Sequence, residues 1–258
     1  MSYVINDPAN PPACEPVQLT DMKAYLRVNW ADDDGMIAGM ITAARELTEE
    51  FCRRSWVQKG YVLVMDSFPY FTDTTMSQQA YPPSYYALPQ YSTTLWNYSQ
   101  MMKLAYSPLI IPANGVWKPP TGNGSPFTSG DNLPIMAYVA SASQAWTKIS
   151  GTTDPSNPTN ASFLVDAISE PPRVFPQAGQ YWPSVLYVPN AVQIPFMAGY
   201  SADDSAVPER AKIAIMMLVS NWYENREASS PKSMSVLPHH IESLLWSLRV
   251  MDVAPTRG

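Results

Sequence analysis

The sequence is poor in the residues that carry most metal and nucleophilic chemistry. Its 258 residues include two histidines and two cysteines. Two distant thiols give neither a zinc-site spacing nor a disulfide framework, so we interpret Cys14 and Cys52 as free, with Cys52 on a buried helix face. His239 and His240 are adjacent, and neighbouring helical positions point about 100° apart, so they do not form a chelating pair. We therefore expect no metal and no cofactor.

Charged residues and long apolar runs are also scarce. Charged residues make up 15% of the chain, and the formal net charge is −6. This balance argues against a surface that grips DNA phosphates, but it does not exclude a protein past whose acidic wall DNA slides. The longest apolar run, 213–219, is too short to span a bilayer, and the start lacks the pattern of a signal peptide. We expect a soluble protein that is intracellular when made.

Proline and aromatic residues are the abundant classes. The chain has 26 prolines and 12% aromatic residues, and 46% of its residues are hydrophobic. Because proline interrupts helices and central strands, much of the chain must form loops and edge strands around a packed core. The Pro- and Asn-rich segment 1–17 is predicted to be an extended arm with little structure of its own.

Helical patterns occur near both ends of the sequence. Apolar residues recur at three- and four-residue spacing over 32–54, where Asp32 can cap the helix. A second helix, apolar nearly all round, is predicted over 208–226. Shorter helices are predicted over 21–28 and from 238 onwards.

The middle of the chain shows strand patterns instead. The strand candidates are short apolar segments between Gly-, Pro-, Asn- and Ser-rich loops: 61–65, 103–111, 135–140, 146–149, 163–168 and 191–197. The order of helices, strands and helices predicts an α+β fold. In it, 18–58 and 205–253 form a helical domain built from both chain ends. The segment 59–204 is an inserted antiparallel β domain with long loops at 69–101 and 112–134.

No catalytic signature stands out from the background. Asp32, Asp33 and Asp34 lack the alternating oxygens of a calcium loop, so we interpret them as helix-capping residues. No phosphate-binding loop or nucleophile elbow is present, and nothing selects either histidine as the base of a serine triad. We predict that the protein is not an enzyme.

Two segments are candidate contact surfaces. The Tyr-rich, weakly charged stretch 70–98, which contains Tyr85 and Tyr86, is typical of protein–protein contacts, although it could also stack on sugars or nucleobases. Ile241 and Leu245 in the final helix are further interface candidates.

The second segment ends the long C-terminal helix. Trp, Tyr and Arg are the favoured residues of interface hot spots, and Glu224 and Glu227 would repel each other without an external partner. The alternative is a helix end that covers its own core. The residues of this motif are Trp222, Tyr223, Glu224, Asn225, Arg226 and Glu227.

The motif resembles the C-terminal signature of phage head–tail connector (adaptor) proteins. The resemblance covers roughly 15–65 and 102–250, and 69–101 and 112–134 look like insertions. Further matching pieces occur in the same order along the chain: Pro16, Val17, Leu19, Lys23, Ala24, Tyr25, Leu26, Arg27, Val28, Ile37, Met40, Ile41, Ala43, Ala44, Arg45, Glu49, Phe51, Gln180, Tyr181, Trp182, Pro183, Ala198, Gly199, Tyr200, Val207, Pro208 and Glu209.

The resemblance implies a structural virion protein of the neck, made in the host cytoplasm. Members of this family form a ring, usually of twelve copies, beneath the portal protein. They extend the channel through which double-stranded DNA passes without sequence-specific binding, and they provide a platform for stopper or tail-completion proteins. No membrane partner is implied. The competing interpretations are a carbohydrate-binding or tail-fibre accessory module that uses the Tyr-rich region, and a small hydrolase.

Overall fold

The computed structural model describes most of the chain. The described residues are 2–69, 101–111, 118–119, 125–128, 130–140, 145–153, 161–177, 180–186, 188–225 and 238–251. Within these ranges the protein has four α-helices and nine β-strands. The prediction of a mixed fold of helices and strands is therefore confirmed.

The four helices lie close to the predicted positions. They are α1 (Leu19–Leu26), α2 (Asp34–Cys52), α3 (Glu209–Glu224) and α4 (His239–Trp246). The capping role predicted for Asp32 is wrong, because α2 begins after Asp33 and no side chain caps it. Helices α1 and α2 both end on an arginine with positive φ, Arg27 at 58° and Arg53 at 53°, whose N–H groups bond to carbonyls of the last turn.

All four helices contribute to one apolar core. Helices α2 and α3 run antiparallel, because Tyr223 at the end of α3 bonds to Asp33 just before α2. At the opposite end, the Cys52 thiol lies 3.7 Å from the carbonyl of Leu245 in α4. Burial raises the pKa of Cys52 to about 12, which keeps this thiol protonated and unreactive. The fully buried members of this core include Met22, Ile37, Ala44, Trp56, Ala211, Ile215, Leu218, Ile241 and Leu245.

The strands form one continuous set of pairings. They are β1 (Ser2–Asn6), β2 (Lys59–Met65), β3 (Met102–Lys103), β4 (Leu109–Ile110), β5 (Ile135–Val139), β6 (Trp146–Thr152), β7 (Phe163–Asp166), β8 (Arg173–Pro176) and β9 (Val192–Ala198). Their order across the sheet is β1-β2-β9-β5-β6-β7-β8-β3, with β4 also on β9. The pairings are antiparallel except for β6 with β7, which are parallel, so the prediction of a wholly antiparallel region needs this correction.

The structure differs from the sequence prediction at three further places. The predicted strand 103–111 is divided into β3 and β4, since Pro108 lacks the N–H that a continuous strand needs. The arm 1–17 is not without regular structure, because Ser2–Asn6 pairs with residues 61–65 of β2. Strand β8 was not predicted, since it ends in a proline and follows two more.

The sheet curls around a second apolar core. Strands β2, β5, β7, β8 and β9 contribute to it, and so does β3 from the far end of the strand order. Its aromatic centre is the stack of Phe68 on Trp182, whose ring centroids lie 4.9 Å apart. Members buried to 5% exposure or less include Tyr61, Leu63, Phe68, Met102, Leu104, Met136, Phe163, Val174, Trp182, Val192, Ile194 and Phe196.

Gly199 follows β9 directly, where the chain passes close to the connection between α2 and β2. Its φ of 140° is one that side-chain-bearing residues rarely adopt, and a Cβ here would lie 2.4 Å from the backbone of Val57. The N–H of Gly199 donates to the Pro108 carbonyl at 2.9 Å. This close contact holds the end of β9 against the segment that connects α2 to β2.

A buried ion cluster joins the helices to the sheet. One carboxylate oxygen of Glu49 accepts hydrogen bonds from Arg45 Nη1 at 3.1 Å and Lys59 Nζ at 2.8 Å. The other accepts the backbone N–H of Trp56 at 2.8 Å. The Arg45 and Glu49 side chains are 3% and 2% exposed, so water does not screen this cluster. Glu15 completes it by accepting from Arg45 Nε at 2.9 Å.

Replacing the Glu49 carboxylate should destabilise the fold strongly. Glu49→Gln keeps the shape but leaves the buried Lys59 without its anion and Arg45 with only the more exposed carboxylates of Glu15 and Glu46. We therefore expect the free energy of unfolding to fall by about 3–5 kcal/mol. Urea unfolding followed by circular dichroism measures it. The control is Glu46→Gln, because the Glu46 side chain is 62% exposed and lies 3.5 Å from the same arginine. That variant should change stability by less than about 0.5 kcal/mol. Equal effects of the two variants would contradict a structural role for the cluster.

Candidate assembly surfaces

The aspartates around the start of α2 and the histidines of α4 do not come together into a metal site. Asp33 Oδ2 accepts from Trp30 Nε1 at 3.2 Å and from the Tyr223 hydroxyl at 2.7 Å, while Asp34 pairs with Lys23 at 2.5 Å. His239 lies exposed at the start of α4. Among the described residues, no three His, Cys, Asp or Glu side chains are grouped so that they could hold a metal ion. No helix in the same ranges is long and apolar enough to cross a bilayer.

A pocket in the curled sheet also lacks polar groups that could bind a ligand. It lies between β4, β5, β7 and β9, and every residue that lines it is apolar. Its walls include Leu104, Leu109, Phe163 and Ile194. A binding site for a sugar or a small substrate needs a few polar groups that fix orientation, so we interpret this pocket as part of the core.

The predicted interface motif at the end of α3 is only partly exposed. Trp222 and Tyr223 are half-buried and pack against the helical core, whereas Glu224 and Asn225 are exposed. Arg226 and Glu227 lie outside the described residues. The motif therefore both covers the core of its own chain and presents Glu224 to the outside.

Two residues of α4 that were predicted to lie in an interface pack inside the helical core. Ile241 and Leu245 are both 0% exposed within the helical core, so in the single chain their side chains present no surface to a partner. Their apolar spacing on α4 reflects packing within the chain. Tyr85 and Tyr86, on which the sugar-binding alternative depends, lie outside the described residues.

An exposed surface that the sequence did not single out lies beside the motif. Trp30, in the turn between α1 and α2, is 53% exposed, and Met36 in the first turn of α2 is 37% exposed. The bond from Tyr223 to Asp33 holds the end of α3, with Glu224, against this turn. We call the surface formed by Trp30, Asp32, Met36 and Glu224 the acidic end.

A second exposed surface lies at the other end of the helices. Trp246 is 49% exposed, and Arg249 lies over its ring at 5.4 Å and over the ring of Phe51 at 5.2 Å. Arg210 at the start of α3 donates to Ser247 at 3.0 Å, and Val250 donates its N–H to the Cys52 carbonyl next to Arg53. We call the surface formed by Arg53, Arg210, Trp246 and Arg249 the basic end.

The turn between β7 and β8 is fixed against the basic end. The Arg54 guanidinium forms a two-pronged ion pair with Glu170, with Nη1 at 2.7 Å from Oε1, and its Nε donates to the Leu248 carbonyl at 2.5 Å. Ile168 at the tip of this turn is 94% exposed. The ion pair therefore holds this exposed isoleucine in a fixed position beside the basic end.

Asp166 gives this turn its internal order. Its carboxylate accepts the N–H groups of Ile168 and Ser169, both at 3.1 Å, and the guanidinium of Arg173 at 2.7 Å. Partial burial raises the pKa of Asp166, but these bonds and one from the Ser169 hydroxyl outweigh it and lower the pKa to about 2. The ionised form is therefore the one that the folded turn prefers.

The turn should lose stability in acid. Because the pKa of Asp166 is depressed from 3.8, its contribution is fully present above pH 4 and is lost as the pH falls towards 2. Asp166→Asn should lower Tm at pH 6 by about 2–4 °C, a small effect because the site is partly exposed. The difference from the wild type should disappear near pH 2. Thermal unfolding between pH 6 and 2 measures both curves, and a constant difference across that range would contradict the assignment.

Comparisons with known proteins give matches at the level of structure. No protein-family model matches the sequence, and no curated protein matches it. The fold is similar to a chain in the neck of an empty gene transfer agent (GTA) particle computed with C6 symmetry, at a TM-score of 0.59 and 15% identity over 100% of both chains.

Two further GTA structures contain a similar chain. One is the virion of a native GTA particle, at a TM-score of 0.60 and 14% identity. The other is the neck of a native GTA particle computed with C12 symmetry, at 0.58 and 15%. Each likeness covers 99% of this chain and 100% of the other. At these identities the three matches show that the chains share one fold along essentially their whole length.

Proposed function

We propose that this protein is a structural subunit of a phage neck, a head–tail connector that assembles into a ring beneath the portal protein. The observation that carries the proposal is the full-length likeness in fold to chains from GTA necks, which were computed with six-fold and twelve-fold symmetry. A likeness over the whole of both chains favours a common architectural role more strongly than one shared motif would.

The exposed surfaces support a role in assembly. Trp30 and Trp246 each expose about half of their surface, and tryptophan is the residue most enriched in interface hot spots. A cyclic ring joins two different surfaces of each subunit, and the acidic and basic ends are such a pair. The connector then acts by association, with no bond made or broken.

The charge of the chain suits a channel for DNA. The formal net charge is −6, so a channel wall made of such chains is acidic on balance. A wall of this kind repels phosphates and lets double-stranded DNA pass without being held. In the proposed ring of twelve copies, the subunits extend the portal channel and give stopper or tail-completion proteins their platform.

The helical part and the curled sheet have different roles in the proposed ring. The helices from both chain ends form the ring-building domain, and the curled sheet with its insertions at 69–101 and 112–134 reaches neighbouring neck proteins. The ion cluster around Glu49 fixes the two parts relative to each other, so that a contact made by the sheet keeps its position on the ring.

Particles made without this chain test the proposal. A connector is needed to join tails to filled heads, so deletion of its gene should leave DNA-filled heads and free tails, seen by negative-stain electron microscopy. Expression of the wild-type chain in trans should restore complete particles, in which labelled antibody should bind at the neck.

Complete, infectious particles from the deletion strain would overturn the proposal. A label that is found on tail fibres instead of the neck would favour the accessory-module alternative. Expression in trans of the Glu46→Gln variant, which leaves the fold intact, should restore particles as well as the wild type and controls for expression.

A further inference from the structure

We infer that the acidic end of one copy docks on the basic end of the next copy, and that this contact closes the ring. The inference rests on the proposed function, since it names the surfaces by which the proposed ring is built. Its occupant is a second copy of this chain, on each of the two surfaces.

The first argument is the placement of the two ends. They lie at opposite ends of α2, whose 19 residues span about 28 Å at about 1.5 Å per residue. A head-to-tail ring needs two unlike surfaces that are separated across the subunit, because each copy must contact one neighbour with each.

The second argument is the exposed apolar area at both ends. The acidic end exposes Trp30 and Met36, and the basic end exposes Trp246, with Ile168 beside it. Large apolar side chains that are exposed in two compact groups are typical of surfaces that become buried on association. One tryptophan at the centre of each surface provides the kind of anchor that dominates binding energies.

The third argument is charge. Asp32 and Glu224 are exposed at one end, and Arg53 at the other; none of the three side chains bonds or pairs with another residue in the described part of the chain. Arg210 and Arg249 add positive charge beside Arg53.

Not every charge near the two surfaces agrees with this polarity. Arg27 lies near the acidic end, and Glu50 and Glu209 lie near the basic end, all of them exposed. The tryptophan-centred parts of the surfaces still carry opposite signs, which favours contact of unlike ends and disfavours contact of like ends.

Two end-specific variants test the contact. Trp30→Ser with Asp32→Asn alters the acidic end, and Trp246→Ser with Arg53→Gln alters the basic end. Each variant keeps only one intact end, and a contact needs an intact acidic end and an intact basic end. Each variant alone should therefore be a monomer by sedimentation velocity at concentrations where the wild type forms rings. Loss of a tryptophan anchor should weaken association by at least about thirtyfold.

The mixture of the two variants gives the decisive measurement. The intact basic end of one variant can still receive the intact acidic end of the other, and the product carries only altered ends. The mixture should therefore form a 1:1 dimer and no ring. The control is Ala43→Arg, which adds a charge on the exposed middle of α2, away from both ends, and should still form rings.

Each remaining outcome would overturn the inference. Rings from either variant alone or from the mixture would mean that other surfaces build the ring. A dimer of one variant alone would mean that like ends pair, and a wild-type chain that stays monomeric would mean that the ends do not bind each other. These outcomes leave the neck function intact if the antibody label is found at the neck of particles.

A second pair of variants guards against loss of folding. Asp32→Arg alone and Arg53→Glu alone change only exposed charges and leave the aromatic packing of Trp246 on Phe51 untouched. Circular dichroism and Tm should match those of the wild type. Each of these single variants alone should associate more weakly than the wild type. Their mixture should recover ring formation, because the two substitutions exchange the charges that face each other. Unchanged ring formation by both variants alone would contradict the role of charge in the contact.

Discussion

The buried carboxylate of Glu49 is the interaction on which the rest of the structure depends. It receives Arg45 from its own helix, Lys59 from β2 and the N–H of Trp56 between them. This anion is the shared partner of the two buried cations, and Glu15 adds a second carboxylate on Arg45. The helical core and the curled sheet are therefore joined at a fixed angle by charges, whereas each of the two is filled by ordinary apolar packing. Because this angle is fixed, the two surfaces at opposite ends of α2 keep a fixed position relative to the sheet.

The mixed fold could be predicted from the sequence because its periodicities are strong. Apolar residues at helical spacing define α2, and the apolar run 61–65 predicts most of β2. The two strands that were missed lack such a signal: Ser2–Asn6 lies in a Pro- and Asn-rich arm, and Arg173–Pro176 is bordered by prolines. Both exist because a neighbouring strand offers a complete row of hydrogen-bonding groups, which is a property of the tertiary structure.

The surfaces were harder to predict than the fold. Ile241 and Leu245 are spaced like an interface stripe, but the same spacing serves the chain's own core, and a pattern of apolar residues does not say which of the two it serves. Trp246 does carry a usable signal, since it is a large aromatic residue directly beside that stripe and not on it. Trp30 adjoins an acidic run, and its exposure follows from the way that Asp33 ties the turn to Tyr223. The charge cluster at Glu49 was not predicted, since its members come from three separate segments.

The contribution of α4 to the helical core has a consequence for the order of events in the cell. Leu245 and Val250 bond to Cys52 across almost two hundred residues, and the core lacks two of its fully buried side chains until α4 is present. A nascent chain that lacks α4 would expose the underside of α2 and α3, so the subunit can complete its core only after α4 has left the ribosome. Translation itself would then delay oligomerisation, and copies would become competent to join one another only once α4 has packed onto the core.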